Sequence, residues 1–235
     1  MAKDQPTHFH IVTLFPEALR GYFGASIIGR AVKDKFIKVS YYNPRDYTKD
    51  KWRRIDRRPY GGGPGMVIEA LPTVKAVEAA LRNISGRKSF DISNDQLKRI
   101  KTKIVFFSAG GKQFTNKTAR GYARGLKHLI LIAGHYEGID IRAQKMLKAE
   151  AISIGPYVLS GGEAPALVVA DAVARQIPGV LGNPRSLEEE RVAASQVYTR
   201  PEILAWKGKK YRVPKVLLLG NHAHIEAWKK TRKRK

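Results

Sequence analysis

The chain predicts an α/β fold with a mainly parallel sheet, because strands alternate with helices along most of its length. Two observations carry that expectation. An apolar strand at residues 9–14 runs straight into a helix opened by Phe15-Pro16-Glu17, with proline and an acid in its first turn. Three later strands, starting near Ile104, His128 and Ala151, each end in a glycine-containing loop. Ligands of parallel sheets lie beyond the carboxyl ends of the strands, so these three loops are expected to line one pocket.

The elements follow in order. A helix is expected at residues 27–35 and a strand at 37–42, ending at Asn43-Pro44. Residues 45–58 are dense in both charge signs and read as loop. The glycine run after Arg58-Pro59-Tyr60 lacks the Gly-Lys-Ser/Thr ending of a P-loop. It is either a flexible turn or a backbone platform beside a ligand, with Arg57 and Arg58 available for phosphates. Residues 71–81 form an amphipathic helix with Pro72 near its start. Residues 83–103 are polar with isolated Phe90, Ile92, Leu97 and Ile100, which fits an ordered or a mobile insertion equally. A strand at 105–107 ends in Ser108-Ala109-Gly110-Gly111, a helix covers 115–126, and a strand at 128–133 ends in Gly134 to Asp140.

The last expected strand, 151–154, breaks at Gly155-Pro156 and turns at Ser160-Gly161-Gly162 into a helix starting at Glu163. Ser160 is the expected N-cap and Pro165 sits in the first turn. Small apolar residues dominate this helix, so close packing is expected; Asp171 and Arg175 read as an i,i+4 pair. No Gly-x-Gly-x-x-Gly follows the first strand, which argues against an ordinary Rossmann domain.

Composition narrows the partners. The formal charge of +24 points to a polyanion, most simply nucleic acid. Between residues 207 and 235 eleven Lys or Arg face the single acid Glu226. The absence of cysteine excludes disulfides, thiolate zinc sites and cysteine nucleophiles. No apolar run is long enough to span a membrane and no signal-peptide pattern opens the chain, so a cytoplasmic protein is expected. His8, His10, His222 and His224 form two His-x-His pairs, but without a carboxylate cluster no metal site is expected.

Five ordered motifs then converge. They are Arg58-Pro-Tyr-Gly-Gly-Gly-Pro-Gly-Met66, Gly134-His-Tyr-Glu-Gly-Ile-Asp140, Ser153-Ile-Gly-Pro-Tyr-Val-Leu-Ser-Gly-Gly-Glu163, Tyr198-Thr-Arg-Pro-Glu202 and Gly220-Asn-His-Ala223. Their order and spacing closely resemble the bacterial tRNA (guanine-N1)-methyltransferases, of the trefoil-knotted SPOUT class. The resemblance implies a deep C-terminal knot and a small helical C-terminal part. It also implies a homodimer with each active site shared between subunits, and N1-methylguanosine 3′ of the anticodon (position 37) as product. S-adenosylmethionine would be bound by Phe106, Phe107, Ser108, Ala109, Gly134, Tyr136, Glu137, Gly138, Ile154, Gly155, Tyr157, Leu159, Gly161 and Gly162. A Mg2+ requirement belongs to the same expectation, although the sequence shows no dedicated site for the ion.

Guanine N1 carries a proton at neutral pH, so methylation there needs a base near N1 and positive charge near O6. The resemblance places the arginine at Arg175 and the base at Glu190, with Glu189 as competitor; Glu137 would accept from the amino edge of the guanine. The chain departs from the family pattern at Arg57, Ala109, His135, Pro156 and Glu190, where aspartate, proline, arginine, aspartate and aspartate are usual. The stretch 191–196 is short and a basic tail replaces a longer helical part. The expected division is a methyl-transfer domain at 1–175, a linker at 176–197 and a basic tRNA-binding part at 198–235. The rival expectations are a non-catalytic RNA-binding protein with the same fold and a methyltransferase acting on a different RNA.

Overall fold

A computed structural model describes residues 6–182 and 196–231. The chain divides into two compact units, Met1–Leu181 and Gly182–Lys235.

The first unit is built on a five-stranded sheet. Its strands are β1 (Thr7–Val12), β2 (Ile37–Tyr42), β5 (Thr102–Gln113), β6 (His128–Ile132) and β7 (Glu150–Ser153), in the order β2-β1-β6-β5-β7. Every neighbouring pair is parallel, as the alternation of strands and helices requires. β3 (Asp56–Arg57), within the charged segment 45–58 expected to be loop, pairs antiparallel with β4 (Val67–Ile68), which follows the glycine run.

Both faces of the sheet are covered, which explains strands apolar on both sides. On one face Phe9, Ile11, Val105, Leu129, Leu131 and Ile152 pack against α1 (Glu17–Phe23), α2 (Ser26–Lys33), α5 (Asn116–Gly125) and α7 (Glu163–Ala174). On the other, Val12, Ile104, Phe106, Ile130 and Ile132 pack against α3 (Ala70–Ser85), α4 (Asn94–Arg99) and α6 (Ile141–Met146). The insertion 83–103 is ordered: Ser93 caps α4 by accepting from the Gln96 amide, Leu97 is buried, and Phe90, Ile92 and Ile100 pack on the same core.

Three local expectations need correction. The strand expected to stop before Ser108 continues to Gln113, but changes register on β7. Phe107 and Lys112 both pair with Ile152, so residues 108–111 bulge outward. Gly111 permits this, since a Cβ there would lie 2.6 Å from the Ile152 amide nitrogen. The N-cap of α7 is Gly162, without a side-chain cap bond, rather than Ser160. Asp171 accepts from Tyr22 Oη at 2.6 Å, so its partner comes from α1 and not from the next turn of its own helix. This bond is the first cause holding the Tyr22 phenol up at about 12.

The path after β7 sets up the site. From the edge of the sheet the chain crosses to the carboxyl end of β6, where the Gly162 amide donates to Gly134 O at 2.7 Å and His135 bridges Gly161. α7 then packs against α5, α1, α2 and β1. Ile177 and Val180, beyond α7, still belong to that core.

The second unit is not simply helical. β8 (Ile203–Trp206) and β9 (Lys209–Arg212) form an antiparallel hairpin, followed by α8 (His222–Thr231). The hairpin turns at Lys207 and Gly208, both with positive φ (47° and 75°), the backbone that a tight two-residue hairpin loop demands.

Candidate active site

Three loops meet at the carboxyl ends of β5, β6 and β7 around a cleft of ≈ 360 Å³, toward the small end of the roughly 300–1,000 Å³ typical of ligand pockets. All fourteen residues expected to hold the methyl donor line it, from Phe106 to Ala109, from Gly134 to Gly138, and from Ile154 to Gly162. His135, Ile139, Ser153 and Pro165 line it as well.

The loops are fixed chiefly through their own main chain. Ser153 Oγ donates to Gly155 O at 2.9 Å and accepts from the Gly155 amide at 3.3 Å, holding the break after β7. Tyr157 Oη donates back to Ile154 O at 3.3 Å. The loop after β6 turns through Tyr136, at φ 59°, with the Gly138 amide donating to His135 O. Gly162 has no room for a side chain, because a Cβ there would stand 2.5 Å from Ala133 Cα. With so much main chain at the rim, the cleft can offer uncharged donors and acceptors to a flat polar ligand.

One side-chain clamp ties these loops to β1. Glu163, only 8% exposed, accepts from Thr13 Oγ1 at 2.5 Å and lies 2.5 Å from His135 Nε2. Thr13 Oγ1 in turn accepts from the Phe15 amide, and the His135 ring stands edge-on to Phe15 at 4.7 Å. A buried carboxylate is costly unless both oxygens are engaged, and here both are. The sequence marked Glu163 only as a helix start; its partners lie 150 and 28 residues away, beyond any local signal.

The remaining expected residues are placed as follows. Glu137 lines the cleft, and its amide donates to Met66 O, so the end of the glycine run abuts this loop without itself lining the cleft. Arg57 is paired with Glu69 at 2.8 Å instead of standing free for phosphates. Arg175 is the C-cap of α7 and is not among the cleft-lining residues of its own chain. A helix rises about 1.5 Å per residue, so it stands roughly 18 Å along α7 from Glu163. Glu189 and Glu190 lie outside the described residues. No helix among the described residues is long and apolar enough to cross a membrane.

Comparison with known proteins covers nearly the whole chain. The family model described as tRNA (Guanine-1)-methyltransferase TrmD matches residues 7–235. A protein of Pseudoalteromonas atlantica named tRNA (guanine-N(1)-)-methyltransferase is 40% identical over 233 residues, covering 97% of this chain and 81% of the relative. Proteins of the same name from Pseudomonas paraeruginosa and Pseudomonas putida strain W619 are 43% and 44% identical over 223 residues. Each alignment covers 93% of this chain, and 81% and 82% of the respective relative.

Proposed function

Since the chain belongs to the tRNA (guanine-1)-methyltransferase family, we propose that it transfers a methyl group from S-adenosylmethionine to N1 of the guanosine 3′ of the anticodon, position 37, in tRNA. The observation that carries this is the convergence of all fourteen expected donor-binding residues on one cleft at the carboxyl end of the sheet.

The cleft fits the donor by its chemistry. Main-chain groups of three loops stand ready for adenine and ribose, and Phe106, Tyr157 and Leu159 supply apolar surface. The donor, when bound, supplies an electrophilic sulfonium methyl. The chain's own residues do the rest. Glu137, at the rim, accepts from the guanine amino edge. Arg175 stabilises the negative charge that develops on O6, and Glu190 removes the N1 proton.

The place of Arg175 at the far end of α7, outside the lining of its own chain's cleft, supports an arginine supplied by a second copy, with a homodimer as the active unit. Half-exposed Val168 on the apolar α7 supports packing of that helix against a partner. A trefoil knot is supported by the chain's path, which leaves β7 at the edge, crosses the ends of β5 and β6, and continues as α7 packed on β1.

The basic segment 198–235 is the tRNA-binding part. Exposed Trp206 and Tyr211 alternate there with Lys207, Lys209, Lys210 and Arg212, the combination that stacks on unpaired bases and neutralises phosphates. For Mg2+, the described residues offer no cluster of three or more carboxylates.

The test is labelled methyl transfer to unmodified tRNA with guanosine at the target position, wild type beside Glu190→Gln. Transfer to N1 that collapses in the variant is expected. Transfer that survives moves the base to Glu189, and no transfer despite binding of donor and tRNA favours the non-catalytic RNA-binding alternative.

A further inference from the structure

At the opposite end of the sheet a second cluster stands apart from the cleft. His8 and His10 are two apart on β1 and therefore share a face, and His128 is the register partner of His8 on β6. One ligand nitrogen from each of the three lies within 4.8 Å of the others. From this geometry we infer that His8, His10 and His128 bind one divalent transition ion of the zinc class.

The distances support it. Two nitrogens on one tetrahedral zinc, each bonded at about 2.0–2.1 Å, are about 3.4 Å apart. His10 Nε2 and His128 Nδ1 stand 3.1 Å apart. The His8 and His10 ring centroids are 3.8 Å apart with the planes tilted by 30°, and closing the triangle from the present 4.8 Å spread falls to the partly exposed His8.

The surroundings orient the rings as ligands need. His10, 1% exposed, has its Nδ1 at 3.2 Å from Tyr42 Oη, which accepts from Asn83 Nδ2. His8 Nε2 is 2.9 Å from Ser40 Oγ, leaving its Nδ1 for the ion. In the bound state the His10 proton sits on Nδ1 and donates to Tyr42, freeing Nε2. His8 and His128 are partly exposed, which provides access and leaves a fourth position for water.

The ion class follows from the donors. Three imidazoles with no carboxylate suit Zn2+, Co2+ or Ni2+, whereas Mg2+ and Ca2+ need oxygen. Lys38, the register partner of His8, and Lys127, next to His128, further disfavour a hard cation that relies on charge alone.

The test uses the untagged full chain, stripped with EDTA and titrated with Co2+ alone, then Zn2+. One Co2+ per chain is expected, with visible absorption of a four-coordinate nitrogen site that Zn2+ abolishes. Zn2+ at a hundredfold excess over Kd should raise the melting temperature by about 5–10 °C. His8→Gln and His128→Gln, at partly exposed positions, should lose both signals while melting near wild type in EDTA. His222→Gln combined with His224→Gln should retain both. His128→Cys should keep the site and add a thiolate-to-cobalt charge-transfer band, a gain that misfolding cannot produce. Failure of the wild type to saturate at millimolar Co2+, or saturation undiminished in the His8 and His128 glutamine variants, overturns the proposal.

Discussion

The two ends of the same pair of strands are built in opposite ways. At the carboxyl ends of β1 and β6 the site is mostly main chain, bent by glycines and tied down by one buried carboxylate, Glu163. At the amino ends, His8, His10 and His128 bring side chains together on a regular ladder, with no loop involved. The first arrangement is stiffened by what packs behind it; the second follows from strand register alone. Substitutions should therefore damage the cleft more than the histidine end.

The sharpest way to break that contrast is Glu163→Ala. It removes a buried acceptor and strands both the Thr13 hydroxyl and the His135 ring, so a loss of roughly 2–4 kcal/mol is expected from two polar groups left unpaired. Urea unfolding measures the loss, and calorimetry should show donor binding lost with it. A variant that binds donor normally would mean that the clamp does not shape the cleft. Gly162→Ala comes next. Its Cβ meets the Ala133 backbone, which cannot yield as a flexible side chain would, and overpacking of this kind costs about 1–3 kcal/mol. Weaker donor binding at nearly unchanged tRNA binding is the expected signature.

The histidine end responds to pH. Burial first, then Lys38 and His128, lower His8 to about 4; burial first, then His8, His128 and Lys38, lower His10 to about 2. Burial, then Lys127, lowers His128. Unfolded histidine titrates near 6.5. Above that pH both states are neutral and these rings contribute no pH dependence. Below it the unfolded chain takes up protons that the folded chain refuses, so stability falls as pH drops from about 6.5 toward about 4. Urea midpoints in EDTA should decline across that window, and His8→Gln should flatten the decline. A wild-type midpoint unchanged through it would show that the rings are not held neutral.

The contrast also explains what was legible in the sequence. Glycine loops leave a local mark, so the three loops could be located before any coordinates, while the individual cleft residues came from the resemblance that the ordered motifs carry. The alternation of apolar strands with helices predicted a mainly parallel sheet, and the structure adds that Phe9, Ile11, Leu129 and Leu131 face one core and Val12, Ile130 and Ile132 the other. What stayed hidden depends on register or on distant partners. His128 lies 118 residues from His10, so the His-x-His pair looked unsupported. Glu163 resembled an ordinary first-turn acid because its partners come from β1 and the β6 loop. Lys207-Gly208 was a usable hairpin signal, masked by the charge around it.

The central claim is that cleft and arginine come from different chains, and mixed dimers test it most directly. Glu137→Ala disables the cleft side and Arg175→Ala the far end of α7; each homodimer should be inactive. After the two are mixed and allowed to exchange subunits, half the dimers are mixed and each holds one intact site, so about a quarter of wild-type methyl transfer should return. Mixtures as inactive as their parents, with exchange shown by differential tags, would place Arg175 and the cleft in one chain and contradict the account.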